Sequence, residues 1–335
     1  MQDNARHVET PAIFPIIYDD EPKDVYFFLL PNLTMLAFSS AIEPLRIANQ
    51  ITGKQLYNWV TVAEEDTPVL CSNGVPITPN FGRVDARAGS QVFICSGNEP
   101  QNNISKDVIA WISRQVTRGC KIGGICTGAF ALASAGLLDD KNFTLHWEYQ
   151  GVFRELFHDL SPTSNLYEID GTLMTCGGGV AATDMILNMI ERDHGTRLAS
   201  IVADMCLHLR VNSDDTPQRT VFSSVSESRN TFISHAVDIM EAEVENPLST
   251  KEIAERVGVS IRQLERLFNR YAGKPPAKVY NDIRLARASK LLSISNMRLI
   301  DIATATGFGN SASFSAHFKR KYGISPSKYK RSWRT

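Results

Sequence analysis

The chain has 335 residues, 43% hydrophobic and 21% charged, the balance of an ordinary globular protein long enough for two or three domains. Its formal charge of −1 conceals an asymmetry: residues 249–335 hold 18 Lys and Arg against 5 Asp and Glu, a net of +13, and residues 1–248 come to −14. No apolar run approaches a membrane span, and Met1-Gln2-Asp3-Asn4 opens neither a basic n-region nor an apolar h-region, so neither a membrane protein nor a secreted one is expected.

Residues 1–23 are polar, Pro-punctuated and aperiodic, and read as a flexible tail. Val25 to Leu30 is a continuous apolar run, as in a strand buried on both faces of a parallel sheet. A helix is predicted through Phe38, Ile42, Leu45 and Ile47 to Asn49, then strands at 57–63, 75–77 and 91–95. Helix at 107–117, strand at 121–125 and helix at 127–135 follow. Strand at 143–146, helix at 149–157, extended pieces at 166–169 and 172–175, and helices at 181–191 and 196–209 complete the alternation. Strands alternating with helices predict an α/β domain over 24–210, a mostly parallel sheet sandwiched by helices. Residues 211–230 are polar and Ser-rich and read as a linker to an all-α domain over 231–335.

Within the α/β half the sharpest feature is Gly123-Gly124-Ile125-Cys126-Thr127-Gly128-Ala129-Phe130. A buried strand meets a helix at Cys126 with glycines on both sides, the pattern of a nucleophile elbow. A thiol at a helix N-terminus is expected to lean towards thiolate. Thr144-Leu145-His146-Trp147 follows about twenty residues on and is expected to bring His146 near Cys126, with Trp147 and Tyr149 flanking the site and Ser96-Gly97 offering backbone N–H groups from the end of another strand. Gly177-Gly178-Gly179 lacks the Lys-Ser/Thr of a phosphate loop and reads as a tight turn, and Asp193-His194 reads as a helix end. The cysteines at 71, 95, 120, 126, 176 and 206 form neither a C-x-x-C pair nor a zinc spacing, so reduced thiols in a cytoplasm, with no metal and no cofactor, are expected.

The basic half repeats one plan twice. Ser249-Thr250-Lys251-Glu252 has capping-box spacing and starts a helix carrying Ile253, Ala254 and Val257. Gly258-Val259-Ser260 is a turn, and Ser260 with Gln263 opens a second helix. There Ile261, Leu264, Leu267 and Phe268 share one face, and Arg262, Gln263, Glu265, Arg266, Asn269 and Arg270 face outward. After a long helix over 276–293, Leu299, Ile300, Ile302 and Ala303 form the second apolar stripe, and Gly307 stops that helix. A last helix over 311–322 turns Phe314 and Phe318 inward, leaving Ser311, Ser313, Ala316 and His317 partly outward and Lys319 and Arg320 at its end. Two helix-turn-helix units on one rigid connector suit recognition helices spaced by about one DNA turn, roughly 34 Å.

Leu264-Glu265-Arg266-Leu267-Phe268, Arg284-Leu285-Ala286-Arg287-Ala288, Gly307-Phe308, Ser313-Phe314-Ser315 and Gly323-Ile324-Ser325-Pro326 resemble the AraC/XylS family of transcription regulators. Ala316 departs from it, since many members carry Arg there, which implies weaker DNA contact by the second unit. Glu43-Pro44-Leu45-Arg46-Ile47-Ala48-Asn49, Cys126-Thr127-Gly128-Ala129-Phe130, Ala135-Gly136-Leu137-Leu138, Thr144-Leu145-His146-Trp147, Gly177-Gly178-Gly179 and Asp193-His194-Gly195 resemble the PfpI-like (flavodoxin-like), class I glutamine amidotransferase-like fold as it occurs in the GlxA group of AraC-family regulators. Enzymes of that fold usually place an acid beside the Cys from the loop after the first strand; here Ala37 stands there and Glu43 is the nearest carboxylate along the chain. The resemblance therefore implies no catalytic residue but a ligand pocket with Cys126, His146, Trp147, Gly97 and Glu43 as candidates. It further implies an activator that binds promoter DNA near RNA polymerase, a homodimer formed through the α/β domain, and an inducer that is a small amine, betaine or amino acid. A Cys-dependent amidase or glutaminase with a DNA-binding tail, and a redox sensor acting through Cys126, remain open alternatives.

Overall fold

The computed structural model describes residues 21–208, 218, 231–295 and 297–332, in two compact units divided between Gln218 and Arg219. The tail expected over 1–23 and the linker expected over 211–230 lie outside the described residues, apart from residues 21–23 and Gln218.

The first unit contains β1 (Lys23–Leu29), α1 (Met35–Thr52), β2 (Tyr57–Val62), the hairpin β3 (Val69–Leu70) and β4 (Pro76–Ile77), β5 (Gln91–Cys95), α2 (Lys106–Thr117), β6 (Lys121–Ile125), α3 (Ala129–Ser134), α4 (Trp147–Leu156), β7 (Tyr167–Asp170), β8 (Leu173–Cys176), α5 (Ala181–His194) and α6 (Thr196–Met205). Six strands form one sheet in the order β2-β1-β5-β6-β8-β7, all parallel except the antiparallel edge strand β7. Strand order reverses at β1, with β2 on one side and β5 on the other, which opens a crevice at the carboxyl ends of the strands.

Successive side chains of β1 point to opposite layers. Phe27 meets Phe38 of α1 edge-on with ring centroids 5.6 Å apart, and Phe28 meets Trp111 of α2 at 4.6 Å. Both faces are covered, which is why the run is apolar without alternation. α1 tolerates Pro44 in its interior because the carbonyl that Pro44 leaves unbonded, Ser40 O, accepts the Thr183 hydroxyl of α5 at 3.0 Å. Asn49, buried at the end of α1, accepts Leu56 N–H at 2.9 Å and Tyr57 N–H at 3.0 Å and donates to Tyr57 O at 2.8 Å. Asp193 accepts the Tyr57 hydroxyl at 2.9 Å and pairs with Lys23, so the end of α5 is stitched to β1 and β2.

The strand expected over 143–146 does not form. Thr144 makes only an isolated bridge to Thr163, and its N–H goes to the Thr175 hydroxyl at 2.9 Å, because β8 already occupies the free edge of β6. The helices expected over 127–135 and 196–209 are shorter, at Ala129–Ser134 and Thr196–Met205.

The second unit is helical: α7 (Thr231–Ala242), α8 (Thr250–Val257), α9 (Ile261–Ala272), α10 (Pro276–Ile294), α11 (Leu299–Ala305), α12 (Ser311–Tyr322) and α13 (Pro326–Ser332). Ser249 and Glu252 form the reciprocal capping box, with the Ser249 hydroxyl accepting Glu252 N–H at 3.3 Å and Glu252 accepting Ser249 N–H at 2.7 Å. Ser260 caps α9 through Gln263 N–H at 3.2 Å, and Asn310 caps α12 through Ser313 N–H at 2.8 Å. α10 serves both halves. Val279, Tyr280 and Ile283 join the core made by α7, α8 and α9, and further along the helix Leu285, Ala288, Leu291 and Leu292 are also buried. Two expected inward residues face solvent instead: Ile261 is 41% exposed and Ile300 45%. Each lies in the first turn of its helix, ahead of the positions that reach the core.

Candidate ligand site and nucleic-acid interface

Cys126 follows β6 directly and has a left-handed backbone, φ 62°. Its N–H donates to Cys176 O at 3.0 Å, and its own carbonyl accepts His146 N–H at 3.1 Å. Two glycines make the turn possible by absence of a side chain. A Cβ on Gly128 would stand 2.2 Å from Ile94 O, and one on Gly178 would stand 2.7 Å from Cys126 Cβ. The strained junction predicted at Cys126 is therefore present, at the carboxyl ends of β5 and β6.

The thiol is buried, with 5% of the residue exposed, and Thr34 Oγ1 lies 3.5 Å from Sγ. Burial pushes the Cys126 thiol up to about 11, against the pull of the Thr34 hydroxyl and the Thr127 N–H and with a further push from the Glu148 charge. The expected drift towards thiolate is thus overturned. α3 spans only six residues, and desolvation of the sulfur outweighs what its N-terminus supplies. Burial therefore favours the neutral thiol over the thiolate that acts as the nucleophile.

His146 caps α4, its Nδ1 accepting Glu148 N–H at 3.4 Å, and its ring lies 5.4 Å from that of Trp147 and 6.5 Å from that of Tyr149. The Tyr149 hydroxyl donates to Asn98 Oδ1 at 3.3 Å, and burial, then the Glu148 charge, push Tyr149 above its ordinary range. Ser96, beside the Ile125–Cys126 peptide through a 3.4 Å N–H bond to Ile125 O, keeps a buried hydroxyl with no partner among the described residues. Gly97 belongs to the scaffold: its carbonyl takes the Thr127 hydroxyl at 2.6 Å, and a Cβ there would be 2.2 Å from Asn32 O.

Glu43 does not reach this site. It lies nine residues beyond Thr34 along α1, about 13 Å at helical rise, and its exposed carboxylate takes Arg46 Nε at 2.7 Å. The carboxylate whose charge acts on the thiol is Glu148. It stands in the first turn of α4, two residues after His146. Tyr149 and Ser96 lie where the chain order placed them, beside the Cys126 loop, and the fold adds Asn98, whose side-chain oxygen accepts the Tyr149 hydroxyl. Trp147 is half-buried, and its N–H donates to the side-chain oxygen of Gln218 at 2.9 Å. A cleft of about 470 Å³ lies at the opposite, amino ends of the strands, among Lys23, Tyr57, Arg87, Lys121 and Asp193. Among the described residues no cluster of three His, Cys, Asp or Glu suits a metal ion, and no helix is long and apolar enough to cross a membrane.

In the second unit Arg262, Glu265, Arg266, Asn269 and Arg270 are exposed on α9, Gln263 is partly so, and Leu264, Leu267 and Phe268 are buried beneath them. On α12 Ser313, Ala316, Lys319 and Arg320 are exposed and Ser311 is partly so. His317 is engaged within the unit, its Nδ1 2.9 Å from Asn281 Oδ1 of α10 and its ring edge-on to Phe308. The small, exposed Ala316 leaves α12 without a long donor at the centre of its outer face.

Known proteins resemble the chain over both units. The DJ-1/PfpI family matches residues 23–192, and a helix-turn-helix domain family matches residues 253–332. The HTH-type transcriptional regulator GbdR of Pseudomonas aeruginosa is 35% identical over 305 residues, spanning 91% of this chain and 83% of that protein. GlxA of Rhizobium meliloti, also an HTH-type transcriptional regulator, is 37% identical over 306 residues, spanning 91% of this chain and 94% of its own length. A crystal structure of an AraC family transcriptional regulator from Pseudomonas putida shares the fold, with TM-score 0.51 and 21% identity over 55% of this chain and all of that one. These relatives are HTH-type transcriptional regulators. With a DJ-1/PfpI α/β unit joined to an AraC-type helix-turn-helix unit, the chain belongs to the GlxA- and GbdR-type family of DNA-binding transcriptional regulators.

Proposed function

We propose that this regulator senses a small cationic metabolite at the Cys126 site and, in its presence, activates transcription from promoter DNA bound by α9 and α12. The observation that carries this reading is a nucleophile elbow kept in its strained form around a thiol that burial holds neutral. A site that retains shape and loses reactivity suits recognition. The ligand class follows from what surrounds it. Carboxylates at Glu148 and Glu99 act on Tyr149, the rings of His146, Trp147 and Tyr149 lie close together, and Ser96 offers a hydroxyl unpartnered among the described residues. Aromatic faces with nearby negative charge favour an ammonium or quaternary ammonium group, hence an amine, betaine or amino acid. On the DNA side, Arg262, Gln263, Glu265, Arg266 and Asn269 are the proposed base readers, and Ser311, Ser313, Lys319 and Arg320 the contacts of the second unit. His317 acts there chiefly by positioning α12. The assembly proposed is a cytoplasmic homodimer contacting RNA polymerase at the promoter.

A thermal-shift screen of the intact protein against amines, betaines, amino acids and their amides tests the sensor. An inducing compound should raise the melting temperature, lose most of that effect in Glu148→Gln, and be recovered unchanged. Hydrogen exchange should then slow over residues 144–149. Protection confined to residues 21–25 and 87–91 would move the ligand to the opposite cleft and refute the Cys126 site.

A further inference from the structure

Gln218 stands at the last position of the first compact unit, and its side chain is bound on every polar atom. Oε1 accepts Trp147 N–H at 2.9 Å. Nε2 donates to Thr144 Oγ1 at 3.0 Å, Leu145 O at 2.9 Å and Asn165 O at 2.8 Å, its two hydrogens shared among three acceptors. The Gln218 backbone N–H donates to Ser164 O at 2.6 Å. The receiving groups are themselves fixed. Thr144 Oγ1 passes its own proton to Asn165 O at 2.8 Å, and Thr144 N–H is held by Thr175 Oγ1 at 2.9 Å. Trp147 N–H belongs to the first turn of α4, where no helical carbonyl can reach it.

Gly177 provides the remaining wall. A Cβ there would lie 2.5 Å from both Cδ and Oε1 of Gln218, and its nearest contacts are all atoms of that side-chain amide. The neighbouring Gly178 backs onto Cys126 in the same way. Gly177-Gly178-Gly179 is therefore more than a tight turn: one glycine admits Gln218, and the next admits the Cys126 elbow. Residues 144–147 also serve both, since His146 N–H binds Cys126 O one residue before Trp147 N–H binds Gln218.

We infer that Thr144, Leu145, Trp147, Asn165 and Gly177 form a built-in binding site for a primary carboxamide, and that Gln218 is its intramolecular ligand. The site fastens the chain leaving the sensor unit to the loop that holds His146 against Cys126. Donor and acceptor are both specified: three acceptors demand an N–H-bearing nitrogen, and the helix N–H demands a carbonyl oxygen on the same group. A carboxylate of the same size would set an anionic oxygen against three acceptors.

The experiment is a chemical rescue on the full chain, read by thermal shift and by hydrogen exchange of residues 144–149. Gln218→Ala should melt lower and exchange faster at Trp147. Millimolar propionamide should reverse both in this variant and do nothing for wild type, whereas N,N-dimethylpropionamide, which has no N–H, should fail. Gly177→Ala evicts the same side chain without altering it, and Gln218→Glu replaces the donor at constant volume. Both should reproduce the faster exchange at residues 144–149, and Gly177→Ala should not respond to propionamide, because its methyl fills the site. Wild-type exchange in Gln218→Glu and Gly177→Ala, or equal responses of wild type and Gln218→Ala to propionamide, would overturn the assignment. The site stands on its own contacts, so these readouts fail or succeed independently of whether Cys126 marks an inducer pocket.

Discussion

Arg284 offers the most direct test of how the two helix-turn-helix halves are held in register. From α10 its Nε donates to Thr306 O at 2.8 Å and its Nη2 to Gly307 O at 2.5 Å, while the guanidinium lies 4.1 Å from the centre of the Phe308 ring. The two carbonyls belong to the turn that ends α11 and aims α12. Gly307 cannot be repositioned freely, because it sits at φ 69° with Val244 O only 2.5 Å from where a Cβ would be. A hydrogen bond contributes a net of about 0.5–1.5 kcal/mol, and about 1 kcal/mol is taken for each of these because the guanidinium is only partly buried. Stacking on the ring adds about 0.5–1 kcal/mol. Arg284→Ala should therefore cost about 3 kcal/mol, or about a hundredfold in the local opening equilibrium. Native-state hydrogen exchange of residues 302–308 reads that number, and anisotropy with the wild-type promoter fragment reads its consequence for DNA binding. Lys at 284 keeps the charge but not the fork, and should recover less than half of the loss. Unchanged protection at 302–308 in Arg284→Ala would refute the reasoning, since the carbonyls would then be held by something other than the guanidinium.

Arg262→Ala and Arg266→Ala should each weaken specific promoter binding by about 1–3 kcal/mol in an anisotropy titration at fixed salt, and unchanged affinity in both would mean α9 is not the base-reading helix. Gly128→Ala should destabilise the first unit by about 1–3 kcal/mol or more, because its methyl would meet the Ile94 carbonyl of the interior strand β5; a wild-type melting curve would contradict this. Asp282 is raised by burial but lowered further by Lys274 at 2.8 Å and Lys321 at 3.2 Å, so its folded carboxyl titrates below its ordinary range. A depressed folded pKa stabilises the unit above the unfolded value, near 4, and the contribution disappears as pH falls through the folded value. Asp282→Asn should thus lower urea stability by more at pH 7 than at pH 3, and an equal deficit at both would exclude the ion pairs as its source.

Much of the second unit was legible from the chain alone. Caps at Ser249 and Ser260, a glycine turn at 258 and a glycine stop at 307, and apolar spacing at Leu264, Leu267, Phe268, Phe314 and Phe318 are local signals, each acting over four or five residues. The charge asymmetry is a property of composition, and the Cys126 elbow needs only the small residues on either side of it. Short-range pattern could not rank Glu43 against Glu148, since their distances from the thiol depend on how α1 and α4 lie against the sheet. Nor could it give the state of Cys126: the helix N-terminus is visible in sequence, whereas the desolvation that outweighs it comes from β5, β8 and the glycine turn packing around the sulfur. His317 reads as an outward residue until Asn281 of α10 is seen to hold it, and Gln218 reads as linker until its amide is found bound by residues 144–165. Elements, caps and charge were determined by neighbours in the chain. Burial, charge pairing and the composition of the site were decided by contacts between residues tens of positions apart, which only the folded sheet brings within reach.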